Sequence, residues 1–267
     1  MDKETPLQYT ISGRGDPLLL VHGWAMNGSV FAELAEELSG SNQIITVDLR
    51  GHGASQPAPG DSTFDACSRD LVDLLRGFFP GPVAAAGWSM GVSILLKAVE
   101  IAPRLFNGLV FISGNPSLVS RPDYPCGIPE ITVRRLYRQV ERSYPEGLKN
   151  FYSLLLTPRE QELFGKDMRY AAMTDLSHAP AKDAALALLD CLRHEDLRPA
   201  LSGVCMPTLI LHGDEDGICN PAGGAFMHSH IPGSELVRFP QTGHAPFLTR
   251  SREVIDHLRL FLKSSPR

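Results

Sequence analysis

Six short runs of nearly continuous apolar residues recur along the chain: PLLLVHG (17–23), QIITVDL (43–49), PVAAAGW (82–88), NGLVFIS (107–113), PTLILHG (207–213) and SELVRFP (234–240). Each is bounded by Gly, Pro or Asn, as expected of strands buried on both faces of a parallel sheet. Between them lie SVFAELAEELS, FDACSRDLVDLLRGFF and SILLKAVEIA, and SREVIDHLRLFL closes the series. Their apolar residues repeat every three or four positions, the period of helices packed on a sheet. The alternation predicts an α/β fold with a mostly parallel central sheet, helices on both faces and right-handed crossovers. It breaks between 117 and 185, where helical patterns follow one another before MPTLILHG resumes the sheet. Residues 1–116 and 186–267 are therefore expected to form one core, and 117–185 an inserted helical cap, since the sheet needs strands from both sides of the insertion.

A chain of 267 residues supports a sizeable core. A net charge of −5 argues against a general nucleic-acid binder. No apolar run reaches the roughly 18 residues of a membrane span. The opening MDKETPLQYT has no apolar core of a signal peptide, so a cytoplasmic protein is expected, and a monomer. The five cysteines, Cys67, Cys126, Cys191, Cys205 and Cys219, are scattered and form no C-x-x-C pair. Neither a zinc site nor a disulfide framework is expected, and no metal or organic cofactor.

GWSMG (87–91) fits G-x-S-x-G, a weak signal alone that its surroundings strengthen. A predicted strand precedes Ser89 and a predicted helix follows it. A turn that sharp strains the serine backbone and leaves no room for side chains at Gly87 and Gly91. It would lift the hydroxyl above the sheet edge at a helix N-terminus, where developing negative charge is favoured. The plainer role for Ser89 is a helix N-cap. A serine nucleophile needs a base, and the base needs an orienting acid. FPQTGHAPFL places His244 in a loop after one strand, and LILHGDEDGICNP places Asp214 and Asp216 after the preceding one. Asp216 is preferred because it begins the DGICNP turn, whereas Asp214 is expected to bond its own loop backbone. Ser, Asp, His is one of the known triad orders. His22, His52 and His212 also follow strands; His22 and His212 each precede a glycine and are expected to structure their loops. Oxyanion donors are expected from the backbone N–H of Met90 and of Trp24, whose ring is free to wall the pocket.

VHGW, DLRGHGASQP, GWSMG, GDEDGICNP and GHAPF together resemble the α/β-hydrolase superfamily across nearly the whole chain. HGWAMN, GWSMGV and GHAPFLTR are most similar to the carboxylesterase family of biotin synthesis that cleaves pimeloyl-acyl-carrier-protein methyl ester. The resemblance implies an α/β-hydrolase fold and hydrolysis of that methyl ester by Ser89, Asp216 and His244, with release of methanol. It implies substrate contacts from Trp24 and Trp88, which flank the oxyanion loop and the elbow. Phe151, and with it Tyr152, is a further candidate for an acyl channel or for core. A serine at 89 separates the chain from the dehalogenases and epoxide hydrolases of this fold, which carry an aspartate there. Short-chain carboxylesterases, enol-lactonases, C–C bond hydrolases and perhydrolases share the triad and stay open. A non-catalytic hydrolase-fold binding protein is the alternative of another class; such proteins usually lack a triad member.

In EITVRRLYRQVERS, at 100° per residue, Arg134, Arg135, Arg138 and Arg142 share one side of a helix, opposite Val133, Leu136, Tyr137 and Val140. Charged faces are often simply solvated. Yet residues 117–185 carry ten Lys/Arg against nine Asp/Glu, and the remainder fifteen against twenty-one. A basic stripe on an acidic protein steers acidic partners. The resembled family docks an acidic acyl carrier protein through cap arginines, which makes these four candidate carrier contacts.

Overall fold

A computed structural model describes residues 7–55 and 62–264. The first six residues of MDKETPLQYT, and Gln56 and Pro57 of DLRGHGASQP, lie outside them. Seven strands form one sheet: β1 (Tyr9–Ser12), β2 (Asp16–Val21), β3 (Asn42–Val47), β4 (Val83–Trp88), β5 (Phe106–Ile112), β6 (Thr208–Gly213) and β7 (Glu235–Phe239), in the order β1-β3-β2-β4-β5-β6-β7. Only β1 is antiparallel to its neighbour, β3. Every residue of β4 and β6 is buried, so both sheet faces are covered there.

β1 is the strand that the apolar runs do not announce. Three of its four residues are exposed at the sheet edge, so it carries no apolar run. The helices α1 (Ala32–Leu38), α2 (Phe64–Phe78), α3 (Met90–Ile101) and α11 (Ser251–Ser264) fall on the periodic segments, with α2 packed on α3, α1 on α11, and the short α10 (Pro246–Thr249) against α11. α2 begins where Thr63 accepts from the Ala66 N–H, an N-cap bond. It buries Phe64, Cys67, Leu71, Leu74 and Leu75 on one face. A further helix, α9 (Pro221–His230), was hidden by its glycines. A Cβ at Gly223 would sit 2.2 Å from the Asn115 side chain, and one at Gly224 would sit 2.7 Å from the His212 ring. Close packing therefore places weak helix formers in its first turn.

Five helices stand between β5 and β6: α4 (Glu130–Arg142), α5 (Tyr144–Tyr152), α6 (Pro158–Phe164), α7 (Met168–Met173) and α8 (Lys182–His194). α6 and α7 divide the single pattern PREQELFGKDMRYAAM, because Asp167 caps a new helix by accepting from the Arg169 N–H. α4 packs on α5 and α8. α8 runs past residue 185, where the sequence pattern alone set the edge of the insertion. No helix among the described residues is long and apolar enough to cross a membrane.

Register aligns the ends that matter. Val21 pairs with Gly87, Trp88 with Ile112, and Gly213 with Phe239. The loops after β2, β4, β6 and β7 therefore leave the same sheet edge, where open α/β sheets build their sites. There α3 crosses β2 at very short range: a Cβ at Gly91 would sit 2.3 Å from the Val21 carbonyl oxygen, and one at Gly87 would sit 2.6 Å from that of Gly91. Gly91→Ala is expected to destabilise the fold by about 3 kcal/mol through overpacking, read as a lowered Tm. A wild-type Tm would contradict this packing.

Candidate active site

The turn between β4 and α3 holds Ser89 at φ 56°, ψ −119°. A non-glycine residue with positive φ costs on the order of 1–3 kcal/mol and persists where its surroundings impose it. The Ser89 N–H donates to the Ile112 carbonyl of β5 at 2.9 Å, and the Ser89 carbonyl accepts from Val92 at 3.0 Å. The side chain makes no capping bond to α3, so the plain N-cap role does not hold it. Gly23, two residues past the end of β2, lies so near that a Cβ there would be 3.1 Å from that of Ser89.

Asp216 and His244 come together with both side chains fully enclosed. His244 Nδ1 donates to Asp216 Oδ2 at 2.8 Å. Its Nε2 has no hydrogen-bond partner, which leaves it available to accept a proton. Asp216 Oδ1 accepts from the Ile218 and Cys219 N–H groups, each at 2.9 Å. Burial alone would raise the Asp216 pKa. The charge of His244 and hydrogen bonds from His212 and His244 outweigh it and hold the carboxyl well below the usual range. Asp214, expected to bond its own backbone, instead accepts from Arg238 Nε of β7 at 2.6 Å; the loop's backbone bonds fall to Asp216. His212, expected only to shape its loop, lies with Nε2 3.0 Å from the Cys219 carbonyl and 3.2 Å from Asp216 Oδ2.

The two tryptophans part company. Trp24 lines the cavity in front of Ser89; its ring meets Phe151 edge-on at 4.7 Å, and its indole N–H donates to the Ala185 carbonyl of α8 at 2.8 Å. Trp88, expected to touch substrate, is buried outside the cavity. Its indole N–H donates to the His244 carbonyl at 2.8 Å and its ring packs on Phe247 at 4.9 Å. A residue directly before the elbow still belongs to β4, so its ring supports the histidine loop from behind. Met90 opens α3 and lines the cavity, and a first-turn N–H has no partner within its helix. Phe151 lines the cavity, but Tyr152 does not: its hydroxyl donates to the Ala25 carbonyl at 2.9 Å, joining α5 to the β2 loop.

The cavity encloses about 220 Å³. Leu118, Ile128, Val133, Leu136, Phe151, Leu154, Leu189 and Leu192 give it apolar walls. Thr132, Arg135, Gln139 and Asn150, all exposed, give it a polar rim. Cys219 stands in the wall with Ser89; burial and the Asp216 charge push its thiol pKa up, against the effect of a hydrogen bond from Ser89. The four α4 arginines are exposed as expected, but Arg135 alone turns to the rim, while Arg134, Arg138 and Arg142 lie outside the cavity lining. Among the described residues no three His, Cys, Asp or Glu side chains gather as ligands for a metal ion.

The sequence matches the α/β-hydrolase fold family over residues 16–251. The chain belongs to the α/β-hydrolase family. Among its relatives is the pimeloyl-[acyl-carrier protein] methyl ester esterase of Nitrosomonas europaea, 34% identical over 92% of this chain and 95% of that one. The enzyme of the same name from Aliivibrio salmonicida is 30% identical over 97% of each chain. Of the solved structures, an esterase from Exiguobacterium antarcticum superposes with a TM-score of 0.88 at 26% identity, covering 97% of this chain and 96% of that one.

In this α/β-hydrolase the DLRGHG loop is held by neutral histidines. His22 Nε2 lies 2.9 Å from the Leu49 N–H and must accept from it, so the ring proton is on Nδ1, which donates to the Gly23 carbonyl at 2.8 Å. Burial pushes the His22 pKa down to about 4, against that bond. His52, with its ring 5.2 Å from His22, is pushed down to about 3 by burial and then by the charge of His22. The unfolded chain binds these protons near pH 6.5, the folded chain only near pH 4 and 3. Their stabilisation is thus full above pH ~6.5 and declines as pH falls toward the folded values, by about 2 kcal/mol per histidine at pH 5. The urea midpoint is expected to drop between pH 7.5 and pH 5, and to drop less in His22→Gln. Equal drops in both proteins would refute the assignment for His22.

Proposed function

We propose that the chain is a serine carboxylesterase that hydrolyses the methyl ester of pimeloyl-acyl-carrier protein to methanol and the free carboxyl. The observation that carries this is the form of the cavity: Ser89 in its lining, apolar walls, and a polar rim beside exposed arginines. A substrate whose reacting ester ends an aliphatic chain, with a large acidic carrier at the other end, matches that gradient. The names of the two relatives agree with it.

Ser89 attacks the ester carbonyl while His244 Nε2 takes its proton. Asp216 holds the imidazole in the tautomer with its proton on Nδ1 and stabilises the cation that forms. The N–H groups of Met90 and Trp24 bind the oxyanion, an interaction typically worth about 3 kcal/mol per donor. His244 then protonates the departing methanol and activates the water that frees the acyl group. Residues 117–185, extended through α8 to His194, act as the cap that keeps the acyl chain out of water.

Ser89→Ala is expected to fold normally and to lose p-nitrophenyl ester turnover and fluorophosphonate labelling. Turnover retained by the purified variant would overturn the assignment of the nucleophile. For the carrier, Arg134→Glu with Arg138→Glu is expected to raise KM for the carrier-bound ester about tenfold while sparing a small ester, since the charges act on the encounter rather than the chemistry. An unchanged KM for the carrier-bound ester would remove the stripe from the docking surface.

A further inference from the structure

The loop that carries His244 is held by the cap as well as by the core. Glu160, in the first turn of α6, is buried at 5% exposure. Its sequence setting, TPRE, is a capping box: the Glu160 N–H donates to Thr157 Oγ1 at 3.1 Å, and Glu160 Oε2 accepts from the Thr157 N–H at 2.9 Å. A capping box normally closes on itself. Here Oε2 also accepts from the Gly243 N–H at 2.9 Å, 83 residues away, and Oε1 accepts from Thr249 Oγ1 at 2.5 Å. The next residue in the loop repeats the attachment, with the His244 N–H donating to the Leu155 carbonyl at 2.9 Å. Gly243 is wedged against these groups: a Cβ there would be 2.9 Å from both Glu160 Oε2 and the Leu155 carbonyl oxygen.

We propose that Glu160 is a positioning residue for the base: this cap carboxylate holds the turn that carries His244, so that the imidazole meets Asp216 on one side and Ser89 on the other. The inference rests on the role given to His244 above. No other acidic side chain bonds to the 243–244 backbone among the described residues. Without it, a buried N–H loses its acceptor and the turn loses its link to α6. A shift of about 1 Å in a catalytic group is enough to cost up to about 100-fold in rate.

The test uses the full chain and a small p-nitrophenyl ester, so that carrier docking plays no part. Glu160→Ala is expected to lower kcat at least about tenfold with little change in KM. It is also expected to shift or broaden the low-field proton resonance of the His244–Asp216 hydrogen bond. Glu160→Gln keeps a side-chain oxygen for the Gly243 N–H and should restore most of kcat. Thr157→Ala weakens the same helix cap without removing the Gly243 acceptor. It should lower Tm while leaving kcat near wild type, whereas a purely structural role for Glu160 would make kcat fall with Tm in both variants. If Glu160→Ala does not fold at the assay temperature, Glu160→Asp, one methylene shorter, replaces it in the comparison with Glu160→Gln. Wild-type kcat and an unmoved resonance in the folded Ala or Asp variant, with His244→Ala inactive, would overturn the inference alone. Undiminished turnover by His244→Ala would remove the role of the base, and this inference with it.

Discussion

A carboxylate with almost no exposed surface organises this site. Asp216 is removed from water, a transfer that costs several kcal/mol unless the charge is fully satisfied. The protein satisfies it with two backbone N–H groups of its own turn and with the rings of His244 and His212. Those bonds fix the loop after β6 and join it to the loop after β7. The His212 ring held there also leaves no room for a side chain at Gly224, in the first turn of α9. One buried charge thus connects helix packing, loop shape and the tautomer of the candidate base.

The second organising contact is steric. α3 crosses the end of β2 at a distance that admits only glycine at 91, and the chain between β4 and α3 must then turn through positive φ at Ser89. The strain is local, and the surrounding packing of β2, β4 and β5 imposes it. A side chain held in this way has little freedom to leave the sheet edge.

The helices inserted between β5 and β6 are bonded to the loops after β2 and β7. Trp24 donates to α8, Tyr152 donates to the β2 loop, the His244 N–H donates to the segment after α5, and Glu160 gathers Gly243 and Thr249. These helices therefore contribute to the geometry of the candidate site as well as to its walls. The gradient from apolar wall to polar rim lies mostly on residues of these inserted helices, which also hold the turn of the candidate base through Glu160.

Much of this was legible in the sequence, and the limits have a physical pattern. Strands buried on both faces and amphipathic helices write their burial into local periodicity, so β2 to β7, α2, α3 and α11 could be read directly. The elbow could be read too, because its glycines and serine answer to one tight turn. The order Ser89, Asp216, His244 followed from loops that leave parallel strands at one edge. What only the tertiary structure decided is which buried faces meet. Trp88 lies behind His244 rather than in the cavity, and Arg135 alone of four arginines reaches the rim. Asp214 pairs with Arg238, and Glu160 answers a backbone N–H 83 positions away. The edge strand β1 and the glycine-rich α9 lacked periodic signals because one is exposed and the other is packed too closely for side chains. Periodicity reports that a face is buried; the partner of that face is set by how the chain closes on itself, which no local pattern contains.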